Sequence, residues 1–354
     1  TGRQRLSFFL WSSVIAGLLL AHLPACTGPV WEIRYQKAVA EIAPSMEQNC
    51  VATAHYRVCG DADSIPIDAL ATFMEQAAMA YDRVLGRGAT ASLDPAAVWL
   101  YTDPRRYRQV AAGLGFHRSI PAFFSPVTPA AIHVRWDGSD ESGLFSLLLH
   151  EGLHQQVNAR WRIRIDRDSV APGGPENGDQ GQIGIPLWLN EGLATYMEAG
   201  RIIDGRLVTG RVNPERLREL ARELKNKKTP DLTAILAAPY GSPFDSGDYA
   251  MAWGLVYDLK HGAGRSSAIG GPDLLDYYLA ALETDLTDQY HALSGKSRAH
   301  GTITAVTVPV WDPVLARRSL ALFNQIVVGK DRALDQWAQE WRQRMLALAA
   351  GSTR

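Results

Sequence analysis

Residues 144–154 read Leu-Phe-Ser-Leu-Leu-Leu-His-Glu-Gly-Leu-His. The apolar first half of this stretch predicts a buried helix, with Ser142 as the expected N-cap residue. Residues four apart share a face of a helix, so His150 and His154 can each direct a ring nitrogen at a common point. Glu151 lies beside that point. The sequence therefore predicts a buried helix that presents a metal-binding pair.

A third candidate ligand lies downstream, where residues 188–196 read Trp-Leu-Asn-Glu-Gly-Leu-Ala-Thr-Tyr. Catalytic zinc usually takes three protein ligands and leaves one position for water, so two histidines need a partner. Pro186 and the apolar residues after it predict a second helix that ends near Glu198. We interpret Glu191 as the third ligand, one Zn²⁺ per chain as the cofactor, and Glu151 as the general base.

Each ligand histidine also needs an acceptor for its other ring nitrogen. Asn190 lies beside Glu191 and Thr195 lies one turn beyond it, so either residue is a candidate for this role. Each motif alone has a plainer interpretation, as a helix with surface histidines or with an exposed carboxylate. Their occurrence together, in this order and both within apolar helices, favours a metal site.

The two motifs resemble those of the gluzincin zinc metallopeptidases, in which HExxH is followed by a glutamate ligand in a segment similar to (W)(L/F)xEGLAxY. Strand-like residues 97–101 and 132–136, and Tyr-Ala-Met-Ala-Trp at 249–253, extend the resemblance to the peptidase-MA-like family of largely uncharacterised bacterial proteins. The resemblance covers roughly residues 50–285.

This resemblance implies His150, His154 and Glu191 as ligands and Glu151 as the base. It also implies that Tyr249 donates a hydrogen bond to the tetrahedral oxyanion, a role that suits a phenol because it adds no charge. Gluzincin aminopeptidases bind the substrate amine with a Gly-x-Met-Glu-Asn loop before the zinc helix. The sequence has no such loop there, so we do not expect aminopeptidase activity.

The resemblance implies an α+β fold, in which a gluzincin-like catalytic domain has a small mixed sheet beside the HExxH helix and a mostly helical C-terminal part. We divide the chain into a signal peptide (1–25), a leader (26–49), the catalytic domain (50–285), and an irregular segment with a C-terminal helix that packs on it (286–354).

Local patterns predict where the elements lie. The expected strands are 53–58, 97–101 and 132–136, and the expected helices are 68–85, 105–112, a group within 212–236, 248–260, 272–283 and 331–349. Residues 113–129 are expected to form a loop, and residues 284–310 to be irregular. By the resemblance, 132–136 is an edge strand that can hold an extended peptide by strand addition.

The first residues have the features of an export signal. A basic start precedes an apolar run at 6–20 and Leu23-Pro24-Ala25-Cys26, which resembles a lipobox. We therefore expect lipidation at Cys26, and a lipid-anchored protein on the periplasmic side of the bacterial cell envelope. An ordinary signal peptide or an uncleaved membrane anchor also fits this pattern.

Export gives the remaining cysteines, Cys50 and Cys59, an oxidising compartment in which they can pair. Two unpaired buried thiols are the alternative, because a fully extended segment would hold the cysteines too far apart. The chain has 36 basic and 37 acidic residues, which gives no reason to expect a nucleic acid partner.

The function expected from the sequence is an exported zinc metallopeptidase whose partner is a peptide or protein substrate. Two alternatives use the same residues. One is a zinc-dependent amidase that acts on cell-wall material, and the other is a non-catalytic, zinc-containing module that binds peptides.

Overall fold

The computed structural model describes residues 28–62, 65–86, 95–116, 120–127, 130–163, 182–183, 185–226, 231–240, 242–262, 273–294 and 311–352. The expected signal peptide and Cys26 lie outside the described residues, so their predictions stay predictions. No helix within the described ranges combines the length and apolar character that a membrane span needs.

The described residues form a mixed α+β fold. The strands are β1 (Cys50–Ala52), β2 (Tyr56–Gly60), β3 (Ala96–Tyr101), β4 (Ala122–Ser125), β5 (Ala131–Arg135), β6 (Arg162–Ile163), β7 (Gln182–Ile183), β8 (Arg201–Ile203) and β9 (Arg206–Val208). The helices are α1 (Gly28–Met46), α2 (Ile67–Leu85), α3 (Pro104–Gly113), α4 (Glu141–Trp161), α5 (Leu187–Met197), α6 (Pro214–Asn226), α7 (Leu232–Leu236), α8 (Ser246–His261), α9 (Leu274–Ser294), α10 (Trp311–Phe323) and α11 (Leu334–Gly351).

The main sheet has the order β1-β2-β3-β5-β4, with β2, β3 and β5 parallel and an antiparallel strand at each edge. Two predictions about this sheet were wrong. Residues 113–129 are not all loop, because they contain β4, and β5 is not an edge strand, because β4 pairs with its outer side. Strand β4 has only four residues and all are buried, so it lacks the alternation that marks a longer strand.

Alternate side chains of the strands enter two different cores, as the period of a β-strand requires. In β3, Val98 and Leu100 belong to the core shared with α2 and α4. Trp99 and Tyr101 point to the opposite face and belong to the core shared with α1 and α3. The sheet is therefore covered on both faces, and α4 lies in the larger core.

Cys50 and Cys59 form a disulfide. The segment between them is not one extended strand, as predicted for 53–58, but a hairpin in which Thr53 N–H donates to the Tyr56 carbonyl over 2.7 Å. The turn places the two cysteines directly opposite each other in the β1–β2 register. The geometric objection to pairing therefore disappears.

The helix that carries the histidines begins two residues earlier than expected, at Glu141. Asp140, not Ser142, acts as its N-cap, since Asp140 Oδ1 accepts a hydrogen bond from Gly143 N–H over 2.9 Å. An aspartate at this position also places negative charge at the positive end of the helix dipole. The predicted cap residue was therefore wrong, while the predicted helix was right.

The C-terminal part of the described chain is mostly helical, as predicted. The expectation that 284–310 is irregular was wrong for its first part, because α9 continues to Ser294, and residues 295–310 lie outside the described residues. Helix α10 was also not expected. In α11, Trp337, Trp341 and Met345 are buried in the larger core, so this helix packs against the rest of the chain.

A buried histidine joins β5 to α1 and β3. His133 is fully buried, and its ring nitrogens contact the hydroxyl groups of Tyr35 and Tyr101 over 2.9 and 2.8 Å. Burial lowers the pKa of His133 to about 3. The neutral ring donates one of these hydrogen bonds and accepts the other, so both nitrogens have a partner without the charge that burial disfavours.

This histidine makes the stability of the fold pH-dependent. In the unfolded chain His133 gains a proton below about pH 6.5, while in the folded chain it stays neutral, so the unfolded state binds more protons. Stability is therefore complete above that pH and is lost as the pH falls towards the folded pKa. We expect the unfolding free energy to fall by about 2 kcal/mol from His133 alone between about pH 6.5 and 5.

Urea unfolding of the wild type and of His133→Gln at these two pH values measures the contribution of His133. The glutamine variant is expected to be less stable than the wild type at neutral pH. Its free energy of unfolding should fall by about 2 kcal/mol less on acidification. An equal loss in both proteins would contradict the assignment.

Candidate metal centre

Three buried ligand atoms meet between helices α4 and α5. His150 Nε2 and His154 Nε2 are 3.1 Å apart, and Glu191 Oε2 lies 3.8 and 3.6 Å from them. His150 and His154 are each 7% exposed and Glu191 is 1% exposed. The structure therefore brings together the residues that the sequence predicts as ligands, as a group that could hold a metal ion.

Two glycines allow the helices of the centre to approach their neighbours. A Cβ on Gly152 would lie 2.3 Å from the hydroxyl oxygen of Tyr81, which donates to the Leu149 carbonyl. A Cβ on Gly192 would lie 2.6 Å from the carbonyl oxygen of Ala252 on α8. Because neither contact could be accommodated without movement, both glycines contribute to the position of the neighbouring ligands.

Each histidine has a hydrogen-bond partner on its other ring nitrogen. His154 Nδ1 donates to Asn190 Oδ1 over 3.0 Å, which is the contact expected of Asn190. His150 Nδ1 donates to Glu198 Oε1 over 2.8 Å. The other candidate, Thr195, does not take this role, because its hydroxyl donates over 2.7 Å to the Glu191 carbonyl of its own helix.

This arrangement fits a zinc ion. Because both Nδ1 atoms donate outwards, both Nε2 lone pairs point into the centre, next to the Glu191 carboxylate. Glu191 Oε2 is buried and accepts no hydrogen bond from any residue that the structure describes. Tetrahedral zinc with bonds near 2.1 Å holds its ligand atoms about 3.4 Å apart, close to the spacing found here. A cation would satisfy all three acceptors.

The electrostatics of the centre also favour a cation. Burial alone would lower the pKa of His154. The charges of Glu191 and Glu151, with the hydrogen bonds that Glu191 and Asn190 form with the ring, outweigh burial and raise that pKa to about 9. A site that holds a proton so firmly stabilises positive charge, and a divalent ion carries more positive charge than a proton. Zinc binding must displace this proton.

Glu151 lies beside the ligands and is 1% exposed. Its Oε2 accepts a hydrogen bond from the backbone N–H of Phe124 over 2.8 Å. Burial raises the pKa of Glu151, and this effect exceeds the opposing effects of His150, His154 and that N–H. A carboxylate whose pKa is raised towards neutrality is better matched to general-base catalysis.

The contact with Phe124 also shows how β4 is oriented. The Phe124 N–H donates to Glu151 instead of pairing with β5, so the outer edge of β4 faces the centre. An edge strand presents backbone donors and acceptors that an extended chain can pair with. The sequence assigned this role to 132–136, and the structure gives the edge position to β4.

Beyond Glu198 lies a buried arginine that the sequence analysis missed. Arg216 Nη2 is 3.5 Å from Glu198 Oε1, and the arginine is 2% exposed. Burial raises the pKa of Glu198, but the Arg216 guanidinium and His150 hold that pKa below its usual range. Glu198 is therefore ionised at neutral pH and can accept the His150 hydrogen bond.

Tyr249 is 2% exposed near the start of α8. Its ring lies 5.5 Å from the guanidinium carbon of Arg216 and packs edge-on against Phe244. A chain of contacts thus runs from Tyr249 through Arg216 and Glu198 to His150. The structure places Tyr249 beside residues that support the centre.

The chain was compared with known proteins. Residues 180–264 match a family described as "Protein of unknown function (DUF1570)". The match covers less than half of the chain, and it includes Asn190, Glu191, Glu198, Arg216 and Tyr249 but begins after the HExxH segment. No curated protein matches the chain.

Proposed function

We propose that this protein is an exported zinc-dependent peptidase with a gluzincin-like catalytic domain. One observation carries the proposal: the buried convergence of His150, His154 and Glu191, with the carboxylate of Glu151 next to it. A structural zinc site is usually closed by four protein ligands, whereas three ligands leave a position for water. The glutamate beside that position supports catalysis over a structural role.

Each residue of the centre has a separate role in the proposed hydrolysis. When bound, zinc polarises the scissile carbonyl and makes a water molecule easier to deprotonate. Glu151, held by the Phe124 N–H, takes the proton from that water and passes it to the leaving nitrogen. In the proposal, the Tyr249 hydroxyl donates a hydrogen bond to the oxyanion.

The proposed substrate is an extended peptide that pairs with β4. The outer edge of β4 is directed at Glu151, which already accepts the Phe124 N–H, so an added chain would pair with the other backbone groups of this edge and lie across the centre. Backbone pairing holds a peptide without selecting its side chains. The sequence also lacks the amine-binding loop of aminopeptidases, so we propose cleavage within peptides whose ends are blocked.

Export is part of the proposal, and the disulfide supports it. Disulfides persist in oxidising compartments and are rare in the cytosol of most organisms. The bond between Cys50 and Cys59 lies in the hairpin at the edge of the main sheet. The lipid anchor at Cys26 rests on the sequence pattern alone.

The test uses the purified protein with one equivalent of zinc and a library of fluorogenic peptides, each with both ends blocked. We expect cleavage that 1,10-phenanthroline abolishes and added zinc restores, because the base needs the metal beside it. Cleavage of cell-wall amides but of no peptide would replace the peptidase with the amidase. Stoichiometric zinc without hydrolysis of either substrate would favour the peptide-binding module.

A further inference from the structure

Arg216 on α6 contacts three groups that belong to different parts of the centre. Its Nη2 and Nη1 atoms lie 3.5 Å from Glu198 Oε1 and Glu219 Oε2 respectively. Its guanidinium carbon lies 5.5 Å from the centre of the Tyr249 ring. Since Ser246 donates to Glu219, the same arginine is linked to the first turn of α8.

The position of Glu198 explains why another side chain is needed to hold its carboxylate in place. Glu198 is the C-cap residue of α5, beyond the last full turn, where a side chain is less constrained by its helix. Its carboxylate must nevertheless stay on His150 Nδ1, because that contact fixes which His150 nitrogen faces the metal. Asn213 donates to the second carboxylate oxygen over 3.4 Å, and Arg216 supplies the charged contact.

Arginine suits this position better than lysine does. The guanidinium is planar, carries five donors and can contact two carboxylates while one face lies on an aromatic ring. Arg216 is buried, so the contacts with Glu198 and Glu219 are weakly screened by solvent.

We propose that Arg216 is the positioning residue of the centre: it holds Glu198 on His150 and thereby orients His150 towards the metal. The contact with Tyr249 keeps the guanidinium plane in place between α6 and α8. The inference rests on the proposed function only in requiring that the centre binds zinc. It does not require that the protein hydrolyses anything.

The chain contains a matched control for this arginine. Arg344 pairs with Asp258, which is 6% exposed, through contacts of 2.9 and 2.6 Å, and its guanidinium carbon lies 5.5 Å from the Trp337 ring. The same kind of side chain thus bridges a buried carboxylate and an aromatic ring elsewhere in the fold. Loss of Arg344 tests what removing such an arginine does to the protein in general.

The experiment is a double-mutant cycle on the zinc dissociation constant, measured by competition with a chelator of known affinity. The proteins are the wild type, Arg216→Met, Glu198→Ala, the double variant and Arg344→Met. We expect Arg216→Met to weaken zinc binding about tenfold, as the loss of outer partners of metal ligands does. In the Glu198→Ala background the same change should weaken it less than about twofold, because the arginine acts through Glu198.

Equal weakening by Arg216→Met in both backgrounds, or none in either, would overturn the proposal. So would an equal effect of Arg344→Met, since that would be a general consequence of destabilisation. If Arg216→Met does not fold, Arg216→Lys takes its place, and we expect at least about threefold weaker zinc binding because an ammonium group lacks the planar fork that contacts both carboxylates while lying on the Tyr249 ring. Unchanged affinity in that variant would overturn the proposal.

The failure of this inference is distinguishable from the failure of the proposed function. Stoichiometric zinc with strong coupling between Arg216 and Glu198 but no hydrolysis would reject the peptidase and keep the positioning role. Peptide hydrolysis without coupling between Arg216 and Glu198 would reject the positioning role and keep the peptidase. A chain that binds no zinc would overturn both.

Discussion

Replacement of Glu151 by glutamine is expected to lower kcat for peptide hydrolysis at least about 100-fold while zinc stays bound. The glutamine has nearly the same shape, and its amide oxygen can still accept the hydrogen bond from Phe124 N–H. It cannot take a proton from water at neutral pH. Since Glu151 is not one of the three converging ligands, the metal content should remain at one zinc per chain.

Kinetics and zinc content of the same purified samples test this prediction. The matched control is Glu75→Gln, which removes a carboxylate that contacts His55 at the surface of α2. We expect that control to keep the wild-type kcat, because Glu75 lies outside the centre. Full activity in Glu151→Gln would remove this glutamate from the mechanism.

Replacement of Glu191 by alanine is expected to weaken zinc binding at least about tenfold, a loss that even outer partners of a metal can cause. In the proposal Glu191 contributes a ligand oxygen, and its negative charge raises the pKa of His154. Zinc binding also stabilises the folded state, by about 2.7 kcal/mol when the free zinc concentration is 100 times its dissociation constant. At the same zinc concentration, the free energy of unfolding of the Glu191→Ala variant should rise much less.

Chelator competition gives the affinity, and urea unfolding with and without zinc gives the stabilisation. Glu191→Gln is the companion variant, because it keeps the volume of the buried side chain and separates the loss of a ligand from the creation of a cavity. We expect both variants to lose zinc affinity. Wild-type affinity in either would exclude Glu191 from the centre.

The three candidate ligands could be found from the sequence because the spacing of the histidines determines their geometry on the helix. His150 and His154 share a helix face by position alone, and the apolar residues around them indicate burial. Asn190, one of the two residues that the sequence offered as a partner for a ligand histidine, makes that contact. These are local relations within a helix or between two motifs.

The supporting residues could not be found in this way. Glu198 lies seven positions after Glu191, two turns along, but a polar residue at the end of a helix more commonly faces solvent. Arg216 comes from another helix, and only the tertiary packing that holds α6 against α8 brings it to Glu198. Side-chain partners from distant elements leave no periodic pattern in a sequence.

The error about the edge strand has a related cause. The pattern of 132–136 marks a strand but does not say which strands flank it. Strand β4 is short, and its aromatic residues Phe123 and Phe124 enter opposite cores, so all of its positions are buried. Such a segment resembles an apolar loop until its partner is known.

The central claim is that a zinc ion is held by two histidines and one glutamate. The most direct measurement is zinc X-ray absorption of the purified protein, with metal content determined on the same sample. The account predicts one zinc per chain, bound by two imidazole nitrogens and by oxygen atoms at about 2.0–2.2 Å. Absence of stoichiometric zinc, or a sulfur atom bound to it, would contradict the account.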